Sequence, residues 1–334
     1  AHNIRPCEQA CGVKAIGSDE QGRASILEDK CVSCGMCMVS CPFGAISDKS
    51  QIFQLSHALR DGDKIIAIVA PAYISQFGDD VTPGKFKTAL QVLGFSDVHE
   101  VAFGADVGAI SEAHHYAKEV ATGNLPFLLT SCCPSWSMMA KKFFPTMIDN
   151  ISQELTPMVA TARKVKQEQP DAKVVFIGPC ASKKLEAMRR TVRSDVDFVL
   201  TFEELDAMFD AREIDPASFE EDGSLHDATA AGRGYAVAGG VAGAIEACLK
   251  EYYPDVPVHI EHAESLAECK KVLALAKAGK LNGCMIEGMA CPGGCMGGAG
   301  TNVPVAKSSK ELKKFLASCS KKLPPKGLVD IELN

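Results

Sequence analysis

Fifteen cysteines punctuate 334 residues, and four of them announce a chemistry at once: CVSCGMCMVSCP places Cys31, Cys34, Cys37 and Cys41 at C-x2-C-x2-C-x3-C-P. Three thiolates two residues apart wrap three corners of an iron–sulfur cube, and a fourth ahead of a proline serves a second cluster. Structural zinc uses two separated pairs instead. The spacing therefore predicts iron–sulfur chemistry.

Upstream, RPCEQACGVKAI sets Cys7 and Cys11 at the same C-x3-C step, and GVKAI echoes PFGAI. This is the back half of a second such motif. By the ferredoxin pattern Cys11 completes the cube of Cys31, Cys34 and Cys37, while Cys7 and Cys41 need two partners from ahead of Ala1. One or two [4Fe–4S] clusters are thus expected. The alternative leaves Cys7 and Cys11 as free surface thiols.

The second set of cysteines is dispersed through TSCCPSW (130–136), GPCASKKLE (178–186) and EGMACPGGCMGGAG (287–300). Adjacent Cys132 and Cys133 cannot easily form a disulfide with each other. A long chain with an odd cysteine count and no export signal is a poor disulfide scaffold, so thiolates for metal or catalysis in a reducing compartment fit better. The cytoplasm is the expected location. Net charge is −7 with pI about 5.7, and there is no basic stripe with interleaved aromatics, so nucleic acid is not an expected partner. No apolar run is long enough to span a membrane.

In this order the three segments resemble the signature motifs of [FeFe]-hydrogenases, and GYAVAGGVAGAIEACLK (234–250) resembles a fourth segment of that family. The resemblance implies a catalytic H-cluster. Cys133, Cys180, Cys291 and Cys295 match the ligands of its cubane, with Cys295 bridging to a two-iron unit that carries CO, cyanide and an azadithiolate. Cys132 matches the proton-relay thiol, which suits a group able to accept and return a proton. Lys183 matches a lysine that donates to a cyanide ligand. Met289 matches a methionine against the two-iron unit. Ala70, Pro71 and Ala72 match a loop beside the other cyanide, with Ala72 in place of the common serine. Gly293 and Gly294 are expected to let backbone approach the inorganic group without Cβ clashes.

Along the proton path implied by the family, FGADVGAISEAHH keeps Glu112 at one acidic position and puts His115 at the next, Gln153 replaces a serine after Ser152, and Glu186 fits the outer glutamate. Histidine can carry protons near neutral pH, whereas Gln153 is a poor relay. Gly178 stands where a methionine is common, which predicts looser packing around the two-iron unit. These departures point to a divergent subgroup. The function implied is reversible interconversion of protons and dihydrogen, fed by ferredoxin or a similar small electron carrier, with maturation proteins supplying the two-iron unit. A low-turnover hydrogen sensor and a hydrogenase-like iron–sulfur assembly protein are the alternatives.

Elements must hold these residues. Residues 1–48 are cysteine-dense, turn-rich and without a clear core of their own, which with the cluster motif predicts a small ferredoxin-like α+β domain. Residues 49–63 read as a connecting helix ending in a Gly-Asp turn. From 64 to 334, short β-rich runs alternate with helical patterns: KIIAIVAPA, VHEVAFG, LPFLLTSCC, KVVFIGPC, DFVLTF, VPVHIEH and CMIEGMAC. Such alternation predicts an α/β domain, here with two mainly parallel sheets covered by helices. Several runs end in a cysteine, where α/β folds place their ligands. An acidic, then Gly-rich, loop is expected over 215–240, and a surface helix from Ser308.

Overall fold

The computed structural model describes residues 4–221, 225 and 227–333. Part of the loop expected over 215–240 (residues 222–224 and 226) lies outside the described residues.

The N-terminal segment builds an antiparallel hairpin, β1 (Ile16–Ser18) and β2 (Ala24–Ile26), flanked by four-residue helices Pro6–Gln9 and Met36–Val39. It has no separate core. Val13, Ala15 and Val32 are buried in one cluster with Phe127, Trp136 and Leu266 of the large domain. A chain this short cannot bury enough apolar surface alone, so it leans on its neighbour. The connecting helix forms as expected, over Ile52–Arg60, and turns at Gly62 with φ of 81°.

Two parallel sheets follow. The first has the order β4-β3-β6-β7, from β3 (Ile65–Val69), β4 (Asp97–Glu100), β6 (Lys173–Ile177) and β7 (Phe198–Leu200). The second has the order β5-β9-β8, from β5 (Leu128–Leu129), β8 (His259–Glu264) and β9 (Cys284–Met289). All five residues of β3 are buried, as expected of a central parallel strand covered on both faces.

The runs VHEVAFG and LPFLLTSCC give shorter strands than the sequence suggests. VHEVAFG leaves the sheet at Glu100, and Ala102 begins a helix that runs to His115. Nearly every face of that helix is buried, so it lacks the polar stripe that would have marked it as helical. Its backbone is packed closely: a Cβ on Gly104 would stand 2.2 Å from the Pro157 carbonyl. LPFLLTSCC contributes only Leu128 and Leu129 to the ladder before the chain turns toward its cysteines. The C-terminal helix starts slightly earlier than expected, spanning Val305–Ser318. Among the described residues no helix is long and apolar enough to cross a membrane.

Candidate active site

Four strand ends meet at one cavity. After β5, Thr130 and Ser131 lead to Cys132 and Cys133, and Cys133 caps the helix Pro134–Phe143. After β6, Cys180 caps the helix Ala181–Ala187. After β9, the turn Cys291–Pro292–Gly293–Gly294–Cys295 closes the floor, and β3 delivers Ala70 and Pro71. The site therefore lies at the carboxyl ends of both sheets. Trp136 locks the first loop: it is fully buried, and its indole N–H donates to the Thr130 carbonyl at 2.9 Å. A Cβ on Gly288 would stand 2.1 Å from the Trp136 ring, so only glycine lets β9 lie against that indole.

The cavity is about 80 Å³ and is lined by Cys132, Cys133, Cys180, Cys291 and Cys295, with Lys183 and Met289. That is several times the room one water needs. Among the described residues no three His, Cys, Asp or Glu side chains stand close enough to hold one ion. Thiols set around a cavity instead fit a multi-iron cluster, for which four soft sulfur ligands are the suitable donors. Burial pushes the thiols of Cys133 and Cys291 up, and that of Cys295 up to about 12, with neighbouring thiols adding to the effect. The amides of Ala290 and Trp136 oppose this at Cys133, and the Ser182 hydroxyl lies 3.1 Å from the Cys180 sulfur. An anionic set of sulfurs in so dry a place requires a cationic core to balance it. The Tyr235 hydroxyl, buried and without a hydrogen-bond partner, belongs to a side chain on the same wall.

Lys183 supplies the positive charge. Burial works against its ammonium, but the Glu186 carboxylate and the thiols of Cys180 and Cys132 outweigh that cost and raise its pKa. Its Nζ donates to Glu186 at 2.6 Å and to the Cys132 carbonyl at 3.3 Å. Glu186 is therefore not an outer group. It is 2% exposed, and its other oxygen accepts from the Thr156 hydroxyl at 2.8 Å. A carboxylate pinned by an ammonium and a hydroxyl is the counter-ion of Lys183, which corrects the sequence expectation.

Glu112 sits behind Cys132 on the Ala102–His115 helix. Burial raises its pKa to about 8; the Ser152 hydroxyl and the Ser131 amide lower it, while the charges of Glu154 and Glu287 raise it. Cys132 is pushed well above an ordinary thiol, by burial first and then by Glu112. The predicted substitution by Gln153 also needs correction. Ser152 itself presents its hydroxyl to Glu112, while Gln153 is exposed and bonds to the Ile151 carbonyl.

Further expectations meet different surroundings. Ala72 is fully buried in the core and is absent from the cavity wall. His115 faces a separate surface cavity. The glycines admit neighbouring chain: a Cβ on Gly293 would lie 2.4 Å from Val305, and one on Gly294, which also lines the cavity, 2.5 Å from the Ala238 amide. Gly178 does not loosen the packing, because the Phe176 ring and the Ala70 methyl already occupy the space beside it, at 2.7 and 2.8 Å from a notional Cβ. Sequence reading also passed over Glu287, the one acid in the strand CMIEGM. It is fully buried and accepts from the amides of Gly239 and Ala242 at 2.9 and 2.7 Å, fixing the start of the helix Gly240–Tyr252.

In the N-terminal segment Cys11, Cys31, Cys34 and Cys37 line a second, smaller cavity of about 40 Å³. Cys7 and Cys41 lie outside its lining. The Ala15 amide donates to Cys11 at 3.1 Å and the Ala45 amide to Cys41 at 3.4 Å, so the two C-x3-C halves share one local geometry. Gly35 bridges the two sites: at φ 79° its notional Cβ would fall 2.4 Å from Ala299 and 3.3 Å from Ala181, next to Cys180.

Comparison with known proteins agrees with this geometry. Residues 63–299 match the family described as iron only hydrogenase large subunit, C-terminal domain, and residues 1–52 match the LdpA Fe-S cluster-binding domain. The NADP-reducing hydrogenase subunit HndD of Solidesulfovibrio fructosivorans is 30% identical over 335 residues, covering 83% of this chain and 56% of that protein. Iron hydrogenase 1 of Clostridium pasteurianum is 30% identical over 310 residues, covering 78% and 54%. The chain thus spans about half the length of these two relatives. A shorter stretch of 117 residues is 33% identical to the cytosolic Fe-S cluster assembly factor NAR1 of Kluyveromyces lactis, covering 35% and 25%. A structure of [FeFe]-hydrogenase HydA1 from Chlamydomonas reinhardtii superimposes with a TM-score of 0.65 at 21% identity, over 82% of this chain and 91% of that one, a likeness of fold. With the matching family covering most of its length, this chain belongs to the iron-only hydrogenase large-subunit family.

Proposed function

We propose that the protein is an [FeFe]-hydrogenase that interconverts two protons and two electrons with dihydrogen. The observation that carries this reading is that a charged Lys183, donating to the Cys132 carbonyl, and the extra thiol of Cys132 both line the four-thiol cavity. A plain iron–sulfur cube has no need of a buried ammonium or an extra thiol beside it. When bound, the two-iron unit supplies the site at which protons and electrons combine. Cys133, Cys180, Cys291 and Cys295 would hold the cubane, Cys295 would bridge, and Lys183 would donate to an anionic ligand. Met289 and Pro71 exclude water from the cavity, and Cys132 passes a proton on its sulfur to and from Glu112. Electrons would enter at a [4Fe–4S] cluster on Cys11, Cys31, Cys34 and Cys37 and cross beside Gly35. A ferredoxin-like carrier is the proposed donor. Val39 and Phe43, 62% and 88% exposed close to Cys41, give it an apolar place to dock.

The assembly-factor reading is favoured by the shorter similarity to NAR1. One experiment separates the two. The protein, matured with the two-iron unit, is examined by infrared spectroscopy under argon and then hydrogen. CO and cyanide bands that shift with hydrogen are expected; their absence after verified maturation would move the protein to the assembly class.

A further inference from the structure

Three residues that line the large cavity without a thiol, Pro71, Val101 and Tyr235, each stand one or two places along the chain from a member of one buried cluster. At its centre Arg233, on the short helix Ala230–Gly234, forks onto Glu100, the last residue of β4. Its Nε and Nη2 donate to the two carboxylate oxygens at 2.8 and 2.7 Å. Nη2 also donates to the Leu225 carbonyl at 3.0 Å, and Nη1 to the Cys319 sulfur at 3.2 Å. Four of the five guanidinium N–H groups are thus placed, which leaves the side chain one orientation. Cys319 closes the helix Val305–Ser318 and gives its own S–H to the Phe315 carbonyl at 3.3 Å, while the Phe315 ring lies 5.1 Å from the guanidinium. Tyr73 completes the cluster: it ends the turn that begins at Pro71, and the Glu100 charge adds to burial in raising its phenol. Arg233, Glu100, Cys319 and Tyr73 are all buried.

A buried ion pair is a poor way to gain stability, since packed apolar side chains of the same volume serve as well or better. What a forked pair supplies, and they do not, is a fixed direction. We propose that Arg233 is a positioning residue of the large site, fixing through Glu100 where Val101, Tyr235 and Pro71 stand around the two-iron unit. The inference rests on the hydrogenase reading for what fills the cavity, and on these bonds for the positioning. Arg233 itself lines no part of the cavity and touches no reacting atom. The C-terminal helix is the strut of the arrangement. At one end Cys319 and Phe315 hold Arg233; at the other, Val305 fills the space beside Gly293 and Gly297, 2.4 and 3.0 Å from a notional Cβ on each. The thiol-free lining and the Cys291–Cys295 turn therefore share one support.

The test begins without the two-iron unit. The full chain with its iron–sulfur clusters, labelled with fluorotyrosine, gives a fluorine resonance for each of its five tyrosines, and Tyr235→Phe assigns the one that matters. Glu100→Gln breaks the fork while leaving Arg233 and its neighbours in the chain unaltered, and is expected to move the Tyr235 resonance. Glu100→Asp keeps the charge but draws the carboxylate back, and should move it in the same direction by less. Arg163→Gln, which removes a partly buried pair with Asp195 outside the cavity lining, should leave it in place. In the matured protein Glu100→Gln should displace the CO bands and lower kcat about tenfold at unchanged KM for the electron carrier, as a small misplacement around the reacting centre does. A Tyr235 resonance unmoved in folded Glu100→Gln, or in Glu100→Asp should the first fail to fold, overturns the proposal. Equal movement in Arg163→Gln overturns it too, by marking general loosening, and so do CO bands identical to the native ones. If the native matured protein shows no CO or cyanide bands, the hydrogenase reading falls, and the fluorine resonances still decide the positioning.

Discussion

The two thiol sites use the same ligand atoms in opposite surroundings. At the N-terminal site Cys34 is pushed up to about 11 by burial, yet Cys41 nearby is pulled down by the amides of Phe43, Ala45, Ile46 and Gly44. At the large site burial raises the thiols of Cys132, Cys133, Cys291 and Cys295, and the balancing charge comes from a buried lysine with its own buried counter-ion. The first environment is shallow and amide-rich, suited to exchanging electrons across a surface. The second is enclosed, so that each polar group inside it acts with little screening from water. Amide cradling makes a cluster site on its own, whereas an enclosed site needs charge built into its walls.

The contrast can be broken most completely at Cys295. Cys295→Ser should abolish retention of the two-iron unit, seen as loss of the CO and cyanide bands, while iron at the N-terminal site persists. Cys132→Ala should leave iron content unchanged at both sites and lower hydrogen turnover by about 10²–10⁴-fold, the usual weight of a positioned proton-transfer group.

A third prediction concerns stability. Burial raises Asp106 from its ordinary 3.8 to about 6, although Thr229 and Gly232 donate to it. A carboxyl whose pKa is raised on folding stabilises the protein most fully below 3.8 and loses that contribution as pH rises through about 6. Chemical denaturation should show stability of the large domain falling over this window by up to roughly 3 kcal/mol from this group, about a hundredfold in the folding equilibrium. Asp106→Asn should flatten that part of the slope. The smallest effect is expected at the shallow site. Cys37→Ser should remove only the N-terminal cluster, lowering turnover with a protein electron carrier by about tenfold and leaving turnover with a small dye nearly unchanged.

Much of the large site was legible because it is written in local patterns. A strand of β-branched residues that ends in cysteine says both where the ligand lies and what holds it, and β3, β6 and β9 appear where those runs predicted. The parts that sequence missed depend on which side chain turns toward which. Ser152 and Gln153 are adjacent, and only the fold shows that the first faces Glu112 and the second faces water. Glu186 looks like an exposed helical acid until the Lys183 ammonium is seen 2.6 Å away. The start of the helix at Ala102–His115 escaped notice because its first residues continue the β-rich run VHEVAFG and most of its turns are buried. The glycines of the third motif were noticed, but a missing Cβ signals close approach without saying what approaches.

Gly35 carries a consequence of its own. Its missing side chain lets the loop between Cys34 and Cys37 rest on Ala181 and Ala299, the loops of the other site, and the charge of Cys34 is felt at Cys291. Were loading of one set of thiols to order the surface on which the other set is mounted, the two binding events would be thermodynamically linked. Linkage is reciprocal: whatever affinity the deep site gains when the shallow one is filled, the shallow site gains by the same factor when the deep one is filled. Assembly of the protein is in this sense a two-ligand equilibrium hinged on a residue that binds neither ligand.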